Sequence, residues 1–214
     1  MTLSEKQARV LSGIAMIALA VLAEFLGKHV VAAIVWLISA AALWELEHIF
    51  KWKERPVRWL MAFMPLSMIY VLIPGLAALE LYMMDPWFLV WAMVVAAATD
   101  TFAFLFGPPI GGPKLMPSVS PKKTWAGAIV GAAFATLLGG WFAALFLSAV
   151  YNGALVSFAL SVVAQIGDLF ESKLKRVAGV KDSSRLIPGH GGVLDRFDSL
   201  FFVLPALLAI LMFV

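Results

Sequence analysis

The chain has 214 residues, 63% of them hydrophobic and 14% charged, with a net charge of +3 and no cysteine. Soluble domains carry about half apolar and about a quarter charged residues, so this composition excludes a water-soluble globule and makes the lipid bilayer the first partner; no nucleic-acid partner is expected. The missing cysteine excludes disulfides, thiolate catalysis and Cys-ligated zinc.

Apolar runs broken by short polar segments predict seven transmembrane helices, at about 10–26, 30–46, 59–79, 87–106, 125–149, 153–170 and 198–214, each near the roughly 17 to 25 residues needed to cross hydrocarbon. The runs lack the period-two alternation of a barrel, so helices must satisfy their backbone groups. The expected fold is an all-α polytopic bundle, a single membrane domain over 1–214, with scaffold spans in 1–85 and catalytic spans and loops in 86–214. In the first span, Ala18-Leu19-Ala20 resembles a small-residue cleavage site, but the apolar run continues past it and the segment is read as an anchor. The stretch holding Glu45, Glu47, His48, Lys51, Trp52, Lys53, Glu54 and Arg55 is read as a solvated, Trp-anchored helix end. Pro65 and Pro74 are expected to kink or end the third span.

With a cytoplasmic N-terminus, fifteen of the sixteen Lys and Arg residues fall on the cytoplasmic side and Lys28 alone outside. The positive-inside rule therefore supports this orientation and puts the C-terminus outside. Two longer links, 107–124 and about 171–197, then lie in the cytoplasm and are expected to face one another. Links of this length are uncommon unless functional or disordered.

Between Gly167 and Asp198 the chain collects four aspartates, a glutamate, six basic residues and a glycine cluster. Charges beside hydrocarbon are costly unless they pair or bind something, so this island reads as an ion-and-phosphate site. On a continuous helix, Asp168 shares a face with Glu171, Ser172, Lys175 and Arg176. Asp195 and Asp198, three apart, should lie on one side of a first helical turn, and with Asp168 they could hold magnesium through hard oxygen ligands. Capping of the last span is the plainer role for one of them. Pro188-Gly189-His190-Gly191-Gly192 can bring backbone N–H groups close to an anion. Ser120-Pro121-Lys122-Lys123-Thr124 offers hydroxyls and ammonium groups at the start of the fifth span. Asp100 either bonds within the bundle or helps shape the site.

Ser172, Lys175-Arg176, Lys181-Asp182, His190-Gly191-Gly192, Asp195-Arg196 and Asp198 fall in register with the signature of the phosphatidate cytidylyltransferase (CDP-diacylglycerol synthase) family, which the chain resembles over about 98–205. Ser120-Pro121-Lys122-Lys123-Thr124 is similar to a second element of that family, and Asp100 through Gly107 to a third. The resemblance implies transfer of CMP from CTP to phosphatidate, with Mg2+, giving CDP-diacylglycerol and pyrophosphate at the cytoplasmic face of a bacterial inner membrane. It implies metal ligands at Asp168, Asp195 and Asp198, and phosphate contacts from Lys175, Arg176, Lys181, Ser120, Lys123 and Thr124, with Asp182, His190, Ser172, Gly191, Gly192 and Arg196 in the same site. A homodimer is implied by the resemblance alone. Ala126 stands where relatives usually have Glu or Gln, and the N-terminal region is shorter than in many of them. The rival readings are a CTP-dependent lipid or polyprenol kinase and an ion-coupled transporter.

Overall fold

The computed structural model describes residues 26–51, 54, 56–147, 152–188 and 190–213. In chain order these form α1 (Lys28–Phe50), α2 (Val57–Met84), α3 (Pro86–Ile110), β1 (Lys114–Met116), β2 (Ser120–Thr124), α4 (Trp125–Phe146), α5 (Gly153–Val177), the single turn α6 (Leu194–Phe197) and α7 (Leu200–Phe213). Helices α1 to α5 are each long and apolar enough to cross a bilayer, and α7 is a shorter apolar helix. The fold is thus the expected all-α polytopic one, and every expected span from the second onward coincides with a helix. The first, 10–26, falls almost wholly outside the described residues.

Hydropathy marks where the hydrocarbon ends, not where the helix ends, because i→i−4 bonding continues into the interface. So α3 runs on to Ile110 with Pro108 and Pro109 in its last turn, and α5 runs on to Val177, carrying Asp168, Glu171, Ser172 and Lys175 on one continuous helix. Helix α2 passes through both Pro65 and Pro74 without ending. The expected open loop at 107–124 holds instead a small antiparallel hairpin, β1 paired with β2 from Lys114 against Thr124 to Met116 against Ser120.

Caps explain several boundaries. Asp85 Oδ1 accepts the Trp87 N–H at 2.9 Å, with Pro86 opening α3, and Thr124 Oγ1 accepts the Gly127 N–H at 3.1 Å to start α4. Both are helix N-caps in which a side-chain oxygen takes an otherwise orphaned amide.

Lipid is as apolar as leucine, so helices in a bilayer associate through close packing and hydrogen bonds more than through hydrophobic burial. Helix α4 lies between α3 and α5, and α7 packs against α2 and α5. A β-carbon on Gly131 would stand 2.6 Å from the Thr99 carbonyl oxygen, and one on Gly139 2.5 Å from Ser157 Oγ. Hydrogen bonds from Trp91 Nε1 to Ser157 Oγ (3.0 Å) and from Thr99 Oγ1 to Ser161 Oγ (2.8 Å) tie α3 to α5. Around them Trp91, Val95, Leu160, Ala164 and Leu207 are buried, while Leu137 and Trp141 on α4 and Leu155 on α5 remain exposed, as a lipid-facing surface would.

Gly131→Ala sets a methyl against a backbone carbonyl that cannot rotate away. The expected result is a loss of about 1–3 kcal/mol, read as a lower melting temperature of the detergent-solubilised protein.

Candidate functional site

The polar side chains gather at one end of the bundle, where α1, α3 and α5 finish and α4 and α7 begin. The outer layer is organised by Lys175, in the last turn of α5 where a cation also suits the helix dipole. Its ammonium lies 2.7 Å from Glu171 Oε2, one turn back, and 2.6 Å from Asp195 Oδ1, brought in by α6. The other Asp195 oxygen accepts the Gly192 N–H at 2.8 Å and the Ser183 N–H at 3.0 Å, with Ser183 Oγ also 3.0 Å away. Burial works to raise the Asp195 pKa, but these donors and the Lys175 ammonium outweigh it and hold the carboxyl below its ordinary value.

A deeper layer is built on Asp168, one turn before Glu171. It forms an ion pair with Lys123 of β2 and lies 3.4 Å from Ser172 Oγ. Burial lowers the Lys123 pKa, and the nearby Asp100, Asp198 and Glu171 carboxylates work the other way. Asp198 accepts the Ser199 N–H at 2.7 Å, and the Ser199 hydroxyl lies 3.3 Å from Asp100 Oδ2, so one serine bridges two acids. The hairpin and α5 are joined a second time where Arg176 Nε donates to the Val119 carbonyl at 3.4 Å, so the two long links do face one another.

Asp195 and Asp198 both feel the charges of Glu171 and Lys175 and so face α5 together. They meet it at different heights, because three helical residues advance roughly 4.5 Å along the axis. Asp195 reaches the Lys175 turn, whereas the Asp198 backbone lies against Gly167, whose β-carbon would come within 2.9 Å of the Asp198 carbonyl oxygen. The trio Asp168, Asp195 and Asp198 is consequently not drawn into one cage: among the described residues no three acidic or imidazole groups are arranged to hold a metal. The donor chemistry still suits magnesium. Asp100, Asp168, Glu171, Asp195 and Asp198 face the two partly buried ammonium groups of Lys123 and Lys175, leaving negative charge in excess. Glu171 Oε1 and the Tyr70 hydroxyl are buried with no hydrogen-bond partner among the described residues. Magnesium is commonly held by one or two carboxylates plus substrate phosphates, not by an all-protein cage.

Some predicted residues have other work. Thr124 is buried, capping α4 while its hydroxyl lies 3.3 Å from the Gly107 carbonyl. The turn at Ile187–Gly191 closes through Ile187 N–H to Gly191 O and His190 N–H to Ile187 O, both 2.9 Å. Its neighbouring amides do not stand open to an anion, because the protein's own carboxylates take them: Gly192 N–H goes to Asp195, and Val193 and Leu194 N–H to Glu45. Ser120 is half-buried on the hairpin, and Arg176, Lys181, Asp182 and Arg196 are exposed. Gly189 lies outside the described residues.

Glu45 corrects the reading of its segment as solvated. It is fully buried, at 0% exposure, and bonded to the polar loop. The signal was present, since an acid inside an apolar helix needs a partner; what the sequence did not show is that the partner lies some 140 residues away.

An acid test follows from Asp195. A carboxyl whose folded pKa is depressed contributes stability that is complete above its unfolded value, near pH 3.9, and is lost as pH falls through the folded value. The protein is therefore expected to loosen below about pH 4, and Asp195→Asn to lower stability at neutral pH by about 2 kcal/mol and to flatten that acid limb in a melting-temperature profile.

Residues 58–214 match the Cytidylyltransferase family. Over 114 residues, 52% of the chain, it is 50% identical to a phosphatidate cytidylyltransferase of Brucella abortus, of whose length the match covers 42%. It is 44% identical over 126 residues to one of Helicobacter pylori (58% of this chain, 47% of that protein) and 45% identical over 123 residues to one of Staphylococcus aureus (56% and 47%). The matched part thus spans less than half of each relative.

Proposed function

As this chain belongs to the Cytidylyltransferase family, we propose that it transfers CMP from CTP to phosphatidate, forming CDP-diacylglycerol and pyrophosphate with Mg2+. The observation that carries this reading is that the family match at 58–214 spans the whole of the acid-and-base site from Asp100 to Asp198. The curated relatives named above, each a phosphatidate cytidylyltransferase, support the choice of substrates.

An anionic phosphate oxygen of phosphatidate attacks the α-phosphorus of CTP, the bond to the bridging oxygen of the β-phosphate breaks, and pyrophosphate leaves. The attacking oxygen already carries charge at neutral pH, so the chain's task is to align two anions and offset their repulsion, and no general base is needed. Asp168 and Asp198, with Asp100 beside them and Asp195 in the outer layer, would hold magnesium, which when bound supplies positive charge to the triphosphate. Lys123 and Lys175, each already seated against carboxylates, present their remaining N–H donors to phosphate oxygens. The exposed Arg176, Lys181 and Arg196 draw the substrates to the bundle end, with Ser120 and Ser172 as neutral donors. Thr124 serves by fixing the start of α4 beneath Lys123. His190 closes the turn at the mouth of the loop through its N–H to the Ile187 carbonyl, with Gly191 giving it room to turn and Asp182 exposed beside Lys181.

The test is to incubate the detergent-solubilised protein with labelled CTP, phosphatidate and magnesium. A liponucleotide and pyrophosphate are expected; CDP as the nucleotide product would point to a kinase instead. Asp198→Asn and Lys123→Ala should each lower kcat on the order of 100-fold or more with normal expression, since the first removes a carboxylate that would hold magnesium and the second an ammonium aligned on the phosphates. Turnover at the unsubstituted rate in Asp198→Asn rejects its assignment.

We propose also that the site faces the cytoplasm, in accord with the basic residues collected at its end of the bundle. The chain has no cysteine, so Lys181→Cys should be labelled by an impermeant maleimide only in inverted vesicles, and Asp85→Cys only in right-side-out cells.

A further inference from the structure

Glu45 lies before residue 58, where the family match begins, yet its carboxylate is bonded directly to the site loop. Among the described residues, four hydrogen bonds reach its carboxylate, and all come from that loop. Oε1 accepts the Ser184 hydroxyl at 2.6 Å and the Val193 N–H at 2.8 Å. Oε2 accepts the Ser183 hydroxyl and the Leu194 N–H, both at 2.8 Å. Each oxygen thus takes one hydroxyl and one backbone amide, and the two ends of the loop, at 183–184 and 193–194, close on a single carboxylate. Such charge-assisted bonds are the strong kind, and the carboxylate has no water to turn to.

The fit leaves no space. A β-carbon on Gly192 would lie 2.5 and 2.6 Å from the two Glu45 oxygens and closer still to Ser183 Oγ. Glycine at 192 is therefore required by the approach of a side chain from α1, a different reason from the phosphate cradle that its motif suggests. Ser183 extends the connection: its N–H and hydroxyl both lie 3.0 Å from Asp195 Oδ2, and Asp195 in turn holds Lys175.

Resting on the cytidylyltransferase reading above, we propose that Glu45 is a positioning residue of this site: a buried carboxylate on α1 that closes the loop from Ser183 to Leu194 and, through Ser183, sets the Asp195–Lys175 pair that faces the substrate phosphates. Glu45 does not itself reach the substrates. It acts through the loop, so its removal should slow turnover more than it weakens binding.

The test compares Glu45→Gln, Glu45→Asp and the unsubstituted full chain in detergent, by steady-state kinetics with CTP and phosphatidate and by amide hydrogen exchange. In Glu45→Gln one end of the side chain presents N–H groups to donors, and kcat is expected to fall on the order of 100-fold while both KM values move by less than about threefold. Glu45→Asp, which keeps the charge, should recover part of that loss. Exchange should quicken in peptides covering 183–195 and stay unchanged in those of α3 and α4. Unaltered kcat with unaltered loop exchange overturns the proposal, as does quickened exchange throughout the bundle or an Asp variant no better than Gln. If the unsubstituted chain makes no liponucleotide, the cytidylyltransferase reading fails, and the exchange data then decide alone whether Glu45 closes the loop.

Discussion

Charge at the edge of hydrocarbon must be answered within the protein, and this one requirement organises the whole bundle end. Water is scarce there, so the carboxylates draw on ammonium groups, hydroxyls and N–H groups of the chain, and three of these ties join elements far apart in sequence. Lys123 with Asp168 fastens the hairpin to α5. Lys175 with Asp195 fastens α5 to the start of the last helical segment, and Glu45 fastens α1 to the loop between them. The polar loop is ordered by these bonds; its own composition, rich in glycine and serine, would not order it.

The apolar part of the bundle makes this possible by letting the helices come close. Gly131 and Gly139 on α4 allow contact with α3 and α5 that any side chain would block, and the Trp91–Ser157 and Thr99–Ser161 bonds hold α3 beside α5. That spacing brings Asp100 on α3 within reach of Asp198 through Ser199. The carboxylates of Asp100, Asp168, Glu171, Asp195 and Asp198 then share one end of the bundle with the two partly buried ammonium groups. In the proposed reaction the residual negative charge would suit a cation-laden nucleotide, and the ammonium groups would suit its phosphates. Each of the two layers, Asp168 with Lys123 and Lys175 with Glu171 and Asp195, joins acid to ammonium.

Periodicity and spacing were enough for the parts governed by local rules. The described spans followed from apolar runs, because a segment in lipid has to close its own backbone bonds. The face shared by Asp168, Glu171, Ser172 and Lys175 followed from helical repeat, and the need of the 167–198 island's charges for partners followed from their place in an apolar chain. The hairpin at 114–124 left no such trace, since its strands are three and five residues long and hold a proline. Spacing placed Asp195 and Asp198 on one side of a helical turn, but an offset in sequence does not say which turn of a neighbouring helix each residue meets: Asp195 reaches Lys175, while the Asp198 backbone lies against Gly167.

What the chain determined by itself was its class, the described spans and the kinds of group that collect at one end, because hydrophobicity, helical repeat and the cost of unpaired charge all act over a few residues. Tertiary structure alone decided who partners whom. Glu45 reads as one more interfacial acid until α1 is packed beside a loop some 140 residues further on, and the Gly192 amide reads as open to an anion until Asp195 takes it. Hydrogen bonds depend on distances of a few tenths of an ångström between distant segments, and only the packed bundle sets those distances.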